Sequence, residues 1–312
     1  MKLAGLLRQL GQAQDEDERR DLALELLERS RRREHVDAAL RALEGGDLDD
    51  VARPTLRERA FFYFEETRRD NGALIREQLL RLLLGIGHPD ERDLWLRALH
   101  CYEIEPMMGE VTQNLRAIGL VGLAIHEAEL AQLHALRLLH EPESASRFNS
   151  EPALTALNLL AQQEQAQLVY AWLLSSASEA LDLALDELVG RALESLGNDF
   201  PADLYRPLLE QFAWRDRALV SMGLATHIIE SRSESLYDAL ETILIKTRHD
   251  ELHHYILVLL AGARDDELER RLLALAKLSP PRRRKNFLAA LELLPAGQDQ
   301  ELLARLRQPQ DL

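Results

Sequence analysis

The feature that most limits what this chain can fold into is a punctuation that recurs along it. Tyr255 to Leu278 reads YILVLLAGARDDELERRLLALAKL. An apolar helical run ends at Gly262, Ala263-Arg264 turn the chain, and Asp265-Asp266-Glu267 open the next run. Leu82 to Leu99 (LLLGIGHPDERDLWLRAL), Leu193 to Leu209 (LESLGNDFPADLYRPLL) and Leu291 to Leu303 (LELLPAGQDQELL) repeat it. Glycine suits the end of a helix, while proline and acidic side chains suit the first turn of the next. One helical hairpin is thus written many times. Its first helices start near Pro54, Pro89, Glu127, Glu164, Pro201, Glu234 and Asp265. The intervals of about 31–38 residues fall within the range of stacked repeats, and an earlier start near Asp17 fits the same ladder.

This spacing predicts an all-α chain of about eight stacked antiparallel hairpins. Residues 1–53 form an N-terminal cap and first hairpin, 54–297 the repeat array, and 298–312 a capping helix and tail. A lone hairpin cannot bury its apolar face, so stacking must supply the core. Hydrophobic residues make up 46% of the chain and aromatics only 5%, the usage of a Leu- and Ala-built helical protein. Val, Ile and Thr never gather into an alternating run, so no strand is predicted.

The formal net charge is −15. Such a surface repels a phosphate backbone, which disfavours nucleic acid as a partner. It keeps the chain dispersed, and it also attracts basic proteins or peptides. A single cysteine, Cys101, excludes a disulfide framework and a Cys-based zinc site. The N-terminal MKLAGLLRQLGQ has too short an apolar stretch for a secretory signal. The longest uncharged apolar run, Ala117 to Ile125, is about half a membrane span. The expectation is a cytoplasmic protein with no membrane contact.

The chain resembles the HEAT/armadillo class of α-solenoids. The Gly-to-acidic junctions above carry the resemblance, with Leu and Ala at helical spacing between them. Pro207, inside Ala202 to Phe212, is similar to the proline that bends the first helix of many HEAT units. The resemblance implies a right-handed curved superhelix whose second helices line a concave surface, and a scaffold or adaptor role. It also leaves room for HEAT-fold enzymes, such as glycosylases that remove alkylated DNA bases or lyases that attach bilins. The former would need a basic groove with stacking aromatics, for which Trp95, Trp172 and Trp214 are the available indoles.

No constellation assembles catalytic or cofactor chemistry. His249 and His253 are four apart, the spacing of two zinc-binding imidazoles. The helical wheel, however, puts His253 between Leu257 and Leu260 as a core histidine, and no third ligand is identifiable. His100 and Cys101 are adjacent and so point about 100° apart on a helix, which excludes a nucleophile–base pair; Cys101 reads as a buried thiol. Gly85-Ile86-Gly87 lacks the strand of a dinucleotide loop. Arg31 to Arg33 and Arg282 to Lys285 read as solvated helix ends, or as contacts to an anionic partner. No metal and no cofactor are expected.

Partner-binding candidates come from helical wheels. On a helix from Leu56, Ala60, Tyr63 and Phe64 face inward, while Phe62 falls among Glu58, Glu65, Glu66 and Arg69 as a possible interface anchor. Second helices such as Met108 to Ile125 and Asp216 to Glu230 are poor in charge, and their polar strips stand out. They are Thr112, Gln113 and Arg116; Thr155, Asn158 and Gln162; Asp186, Glu187, Gly190 and Glu194; Gly223, Thr226, His227 and Glu230; and Asp250, Glu251 and His254. If second helices face inward, these residues pave a groove that is neutral in the middle and acidic toward the C-terminal half. The expected function is a non-enzymatic scaffold that holds a basic protein segment there. Its predicted contacts are Phe62, Arg116, Asn158, Asp186, Glu187, Glu194, His227, Glu230, Asp250, Glu251 and His254.

Overall fold

A computed structural model describes residues 2–46, 48–107, 109–141, 150–176, 183–213, 217–294 and 300–307. Among these residues the chain is all-helical, with eighteen α-helices and one two-stranded ribbon. The helices begin where the punctuation places them. Those following the expected starts are α4 (Arg53–Glu65), α6 (Arg92–Leu99), α8 (Ala128–Leu139), α10 (Ala166–Ser176), α12 (Ala202–Phe212), α14 (Tyr237–Lys246) and α16 (Asp266–Lys277). Short 3-10 turns at Pro89–Glu91 and Glu234–Leu236 lead into α6 and α14. Alternating with them are α5 (Leu74–Ile86), α7 (Gln113–Ala124), α9 (Ala153–Gln162), α11 (Leu183–Glu194), α13 (Ala218–Ser231), α15 (Asp250–Gly262) and α17 (Arg284–Leu291). Before them come α1 (Leu3–Leu10), α2 (Glu16–Arg29) and α3 (Arg33–Leu43), and α18 (Gln300–Arg307) follows.

Local chemistry accounts for the ends. The Asp265 carboxylate accepts the Glu267 and Leu268 N–H groups at 3.1 and 3.0 Å, and Asp15 accepts that of Glu18 at 3.0 Å. Each satisfies donors that a helix start leaves open and places negative charge at the positive end of the dipole. Gly87 closes α5 in the left-handed region at φ +68°. The end of α15 matches the reading above: Gly262 is the last helical residue, and the left-handed turn falls on Arg264 at φ +50°.

The larger departure lies between α6 and α7. Of the helix expected from Met108, Gly109 to Thr112 instead precede α7, Met108 itself lying outside the described residues, and β1 (Ile104–Glu105) pairs antiparallel with β2 (Gly109–Glu110). Ile104 faces Glu110 and Glu105 faces Gly109 in the register. Pro106 cannot donate in a helix interior, and Gly109 at φ +77° supplies the left-handed backbone that a tight reversal needs.

Two compact units divide the chain, residues 1–159 and 160–312. In the first, α2 packs on α1, α3 and α4; α5 packs on α3, α4 and α7; and α7 packs on α6 and α8. Its core includes Leu26, Leu40, Leu56, Tyr63, Leu79, Leu99 and Leu120. As the wheel predicts, Ala60, Tyr63 and Phe64 are buried. Trp95 lies against the α7 backbone, where a Cβ on Gly122 would run into its ring. In the second unit, α13 packs on α11, α12, α14 and α15, and α17 packs on α15, α16 and α18. Pro207 sits inside α12, whose Tyr205, Leu208 and Phe212 are buried. Among the described residues no helix is long and apolar enough to cross a membrane.

Candidate interaction surface

Several polar side chains expected on an open groove are structural. Arg116 is 1% exposed. It meets Glu110 with two prongs, Nε to Oε1 at 2.8 Å and Nη2 to Oε2 at 2.6 Å, and its Nη1 reaches Glu141 at 2.6 Å. The Tyr102 ring lies 4.2 Å from its guanidinium carbon. Arg76, fully buried, bonds Asp70 at 2.9 Å and clasps Glu103 with both Nη atoms. These two arginines hold both strands of the ribbon, through Glu103 beside β1 and Glu110 in β2. Fork-shaped guanidinium–carboxylate pairs fix geometry as well as charge. Arg76, Glu103 and Glu110 were not among the predicted site residues.

Cys101 lies in this network, half-buried rather than buried, with its Sγ 3.5 Å from a Glu103 carboxylate oxygen. Burial pushes its thiol up to about 12, so it carries no thiolate for nucleophilic work at neutral pH. Trp95 and Trp172 are both core residues and cannot stack a base; Trp214 lies outside the described residues.

In the C-terminal unit the polar strip is likewise split. Asp186 is buried and bonds the Arg217 Nε at 2.6 Å. His227 is buried and stacks on Tyr205, with ring centroids 4.0 Å apart and planes 14° from parallel. Burial holds the His227 imidazole down to about 4. Arg116, Asp186 and His227 therefore do not pave a groove. The wheel assigned these residues to solvent, but the ribbon, Tyr102 and Glu141 cover Arg116, while Asp186 and His227 are buried between packed helices. The crossing of α11 and α13 is the tightest of these. Asp250 keeps an exposed carboxylate, yet Arg283 pairs with it.

The remaining candidates reach the surface. Asn158, in the N-terminal unit, is exposed, as are Glu230, Glu251 and His254 in the other; Glu187 and Glu194 are half-buried. The structure brings Glu194 of α11 and Glu230 of α13 together. Burial, and then the charge of Glu194, raise the Glu230 carboxyl above its ordinary value. Arg191 approaches Glu194 at 3.5 Å, and among the described residues no cation pairs with Glu230.

Phe62 is half-buried rather than a free anchor. Arg31 stands 4.5 Å and Arg69 5.9 Å from its ring centroid, and the Tyr63 ring meets it edge-on at 5.1 Å. With Phe61, Arg53 and Arg57 it borders an open depression of about 770 Å³. Of the polar loop Glu141 to Ser150, the ends are described. Glu141 binds Arg116 and Arg137 and Ser150 is buried, while 142–149 lie outside the described residues.

The two histidines of the zinc-like spacing part company. His249 stands at the N-cap position of α15 and is exposed, whereas His253 is 4% exposed against the edge of Phe287 at 5.4 Å. Among the described residues no group of three His, Cys, Asp or Glu is placed to hold a metal. The basic run also divides, since Arg283 is buried while Arg282 and Lys285 are exposed. No family model, curated protein or solved structure matches the chain.

Proposed function

We propose that the protein is a non-enzymatic HEAT-like scaffold whose C-terminal unit binds a basic segment of another protein on its second-helix side. The observation that carries the reading is the meeting of Glu194 and Glu230 on neighbouring helices. The Glu230 carboxyl is raised first by burial and then by the charge of Glu194, and a cation arriving beside the two carboxylates would favour its charged form. Glu187 and Glu251 stand on the same row of helices and extend the negative field. The repeat reading is supported by the packing within each unit. Second helices touch in unbroken rows, α3–α5–α7 in one and α11–α13–α15–α17 in the other. A stack of hairpins bends toward the side on which its helices approach most closely, and Gly190 and Gly223 permit such an approach.

The test is association kinetics with a partner recovered on the wild-type protein. A fourfold variant reverses Glu187, Glu194, Glu230 and Glu251 to Lys. A control reverses Glu16, Asp17, Asp21 and Glu25 on α2, giving the same change in net charge. Single exposed pairs contribute little, about 0–1 kcal/mol each, but steering sums over the field. The fourfold variant is expected to associate about tenfold more slowly at low salt, with the difference shrinking as salt is added. Equal loss in the control would reduce the effect to net charge and overturn the assignment, as would an unchanged rate in the fourfold variant.

A further inference from the structure

A cavity of about 210 Å³ in the C-terminal unit has a chemistry opposite to that of the acidic row. It lies among α14, α15, α16 and α17. Leu244, Leu275 and Phe287 form apolar walls, and the exposed Ile245 and Leu278 form its rim.

The polar side chains lining the cavity, His253, Ser279, Arg282 and Arg283, can each donate a hydrogen bond, and no carboxylate is among the lining side chains. The Asn286 amide nitrogen lies 3.2 Å from His253 Nδ1 and 3.3 Å from the Asp250 carbonyl oxygen, so it donates to both. Nδ1 is thereby an acceptor, and the ring proton of neutral His253 sits on Nε2 as a donor. The Ser279 hydroxyl oxygen is buried with no hydrogen-bond partner among the described residues. Arg283 is already committed to the Asp250 carboxylate and to the Thr247 carbonyl at 2.8 Å. Arg282 is different: it is exposed at the cavity and has no ion-pair partner among the described residues.

From this arrangement we propose that the cavity binds a small monocarboxylate with an apolar body. The body lies against Leu244, Leu275 and Phe287, and the carboxylate is directed to Arg282, His253 and Ser279. Size limits the ligand. Drug-sized sites run to roughly 300–1,000 Å³, and an apolar cavity of about 150 Å³ accepts benzene, so the body here is a single ring or a short alkyl chain. The sign of the field agrees. Burial, and then the charge of Arg283, hold His253 neutral down to about 4, with Asp250 opposing and His254 and Arg282 adding to the effect, and a carboxylate entering there meets Arg282 at the mouth. The site shares no residue with the acidic row, so failure of either reading leaves the other standing.

The full chain, with labelled Ile and Leu methyl groups, is titrated with hexanoate and 3-phenylpropanoate, and in parallel with hexylamine and 3-phenylpropylamine. At least one carboxylate is expected to saturate the protein below about 10 mM, shifting the methyl signals of Ile245 and Leu278. The matching amine should bind at least about tenfold more weakly, because it offers a cation to a cationic mouth. Arg282→Gln should weaken the carboxylate by about tenfold, the value of a charge-assisted hydrogen bond. It should leave the melting temperature unchanged, since Arg282 is exposed and has no ion-pair partner among the described residues. Absence of binding by both carboxylates, equal binding by the amines, shifts confined to other methyl groups, or indifference to Arg282→Gln would each overturn the proposal.

Discussion

A Cβ added to Gly223 of α13 would stand 2.8 Å from the Cα of Gly190 on α11, and closer still to the Gly190 carbonyl oxygen. The two helices therefore touch backbone to backbone at these glycines, and no flexible side chain is present to move aside.

Gly223→Ala is accordingly expected to be costly. Overpacking a core usually costs about 1–3 kcal/mol, and a clash with backbone belongs at or beyond the top of that range. Gly85 is the contrast, because nothing lies within 4 Å of a Cβ placed there. Gly85→Ala in α5 should gain up to about 0.5–1 kcal/mol of helix propensity. Urea unfolding of both variants checks the pair. Equal effects of the two substitutions would mean that the crossing is not closed as described.

The buried Arg76 gives a second expectation. Its removal strands Asp70, which is fully buried and also accepts the Ile75 and Arg76 N–H groups at 2.9 and 3.0 Å. Breaking a buried pair from one side costs about 3–5 kcal/mol, so Arg76→Met should unfold at markedly lower urea. Adding Asp70→Asn should recover part of that loss, a coupling that a double-mutant cycle reads directly. The ribbon should also loosen, with faster hydrogen exchange at the Val111 N–H, which bonds the Glu103 carbonyl at 2.9 Å. An Arg76→Met cost below about 1 kcal/mol would show that Arg76 is not a structural post.

The helix starts were legible because their signals are local. Asp265 caps its own helix three residues along, and Pro89 and Pro201 cannot sit deep inside one. The ribbon between α6 and α7 was not legible, because its anchors come from elsewhere in the chain. Glu103 is held by Arg76, twenty-seven residues away, and Glu110 by Arg116. A hint was present in LIREQLL, where Arg76 shares a helical face with Leu79, Leu80 and Leu83. An arginine on an apolar stripe requires a carboxylate, but the stripe does not say which one. The polar strips fall on helices except at Thr112, which precedes α7, and they are buried rather than exposed at Thr112, Arg116, Asp186, Thr226 and His227. Whether a polar residue at the edge of a stripe meets water depends on how near the next helix comes. At Gly190 and Gly223 that distance is set by two residues on different helices.

Tyr205 offers a gain rather than a loss. Its side chain is fully buried against His227, and its hydroxyl has no partner among the described residues. An unsatisfied buried polar group costs about 1–3 kcal/mol. Tyr205→Phe keeps the stacked ring and removes the orphaned oxygen. Stability by thermal or urea unfolding should rise, by up to about 1 kcal/mol once the lost volume is counted. A fall of similar size would mean that the hydroxyl is bonded and that the contact around α12 differs from the one described.

The pH dependence of stability follows from two histidines with one sign. His227 and His253 are both held down to about 4 when folded, against 6.5 for the free side chain. Between these values the unfolded chain binds more protons than the folded one, so stability increases with pH. Their contribution is complete above pH 6.5, declines as the pH falls, and levels off below 4. For each residue the full span amounts to about 3 kcal/mol. Glu103, which its bond to Arg76 holds below the usual carboxylate range, acts in a lower window, below its ordinary 4.5. In the interval from 6.5 to about 4.5 these two histidines dominate: His134, also lowered by burial, adds to their slope, and Glu230, raised by burial and then by Glu194, opposes it. Urea unfolding at micromolar protein should show a slope approaching about 2.7 kcal/mol per pH unit there. His227→Leu buries a similar apolar body that cannot titrate, and should roughly halve the slope whatever it does to the baseline. Imidazole proton signals in the folded protein should stay neutral down to about pH 5 at both positions. A midpoint near 6.5 for either would mean that its ring is hydrated, and the stability profile would flatten accordingly.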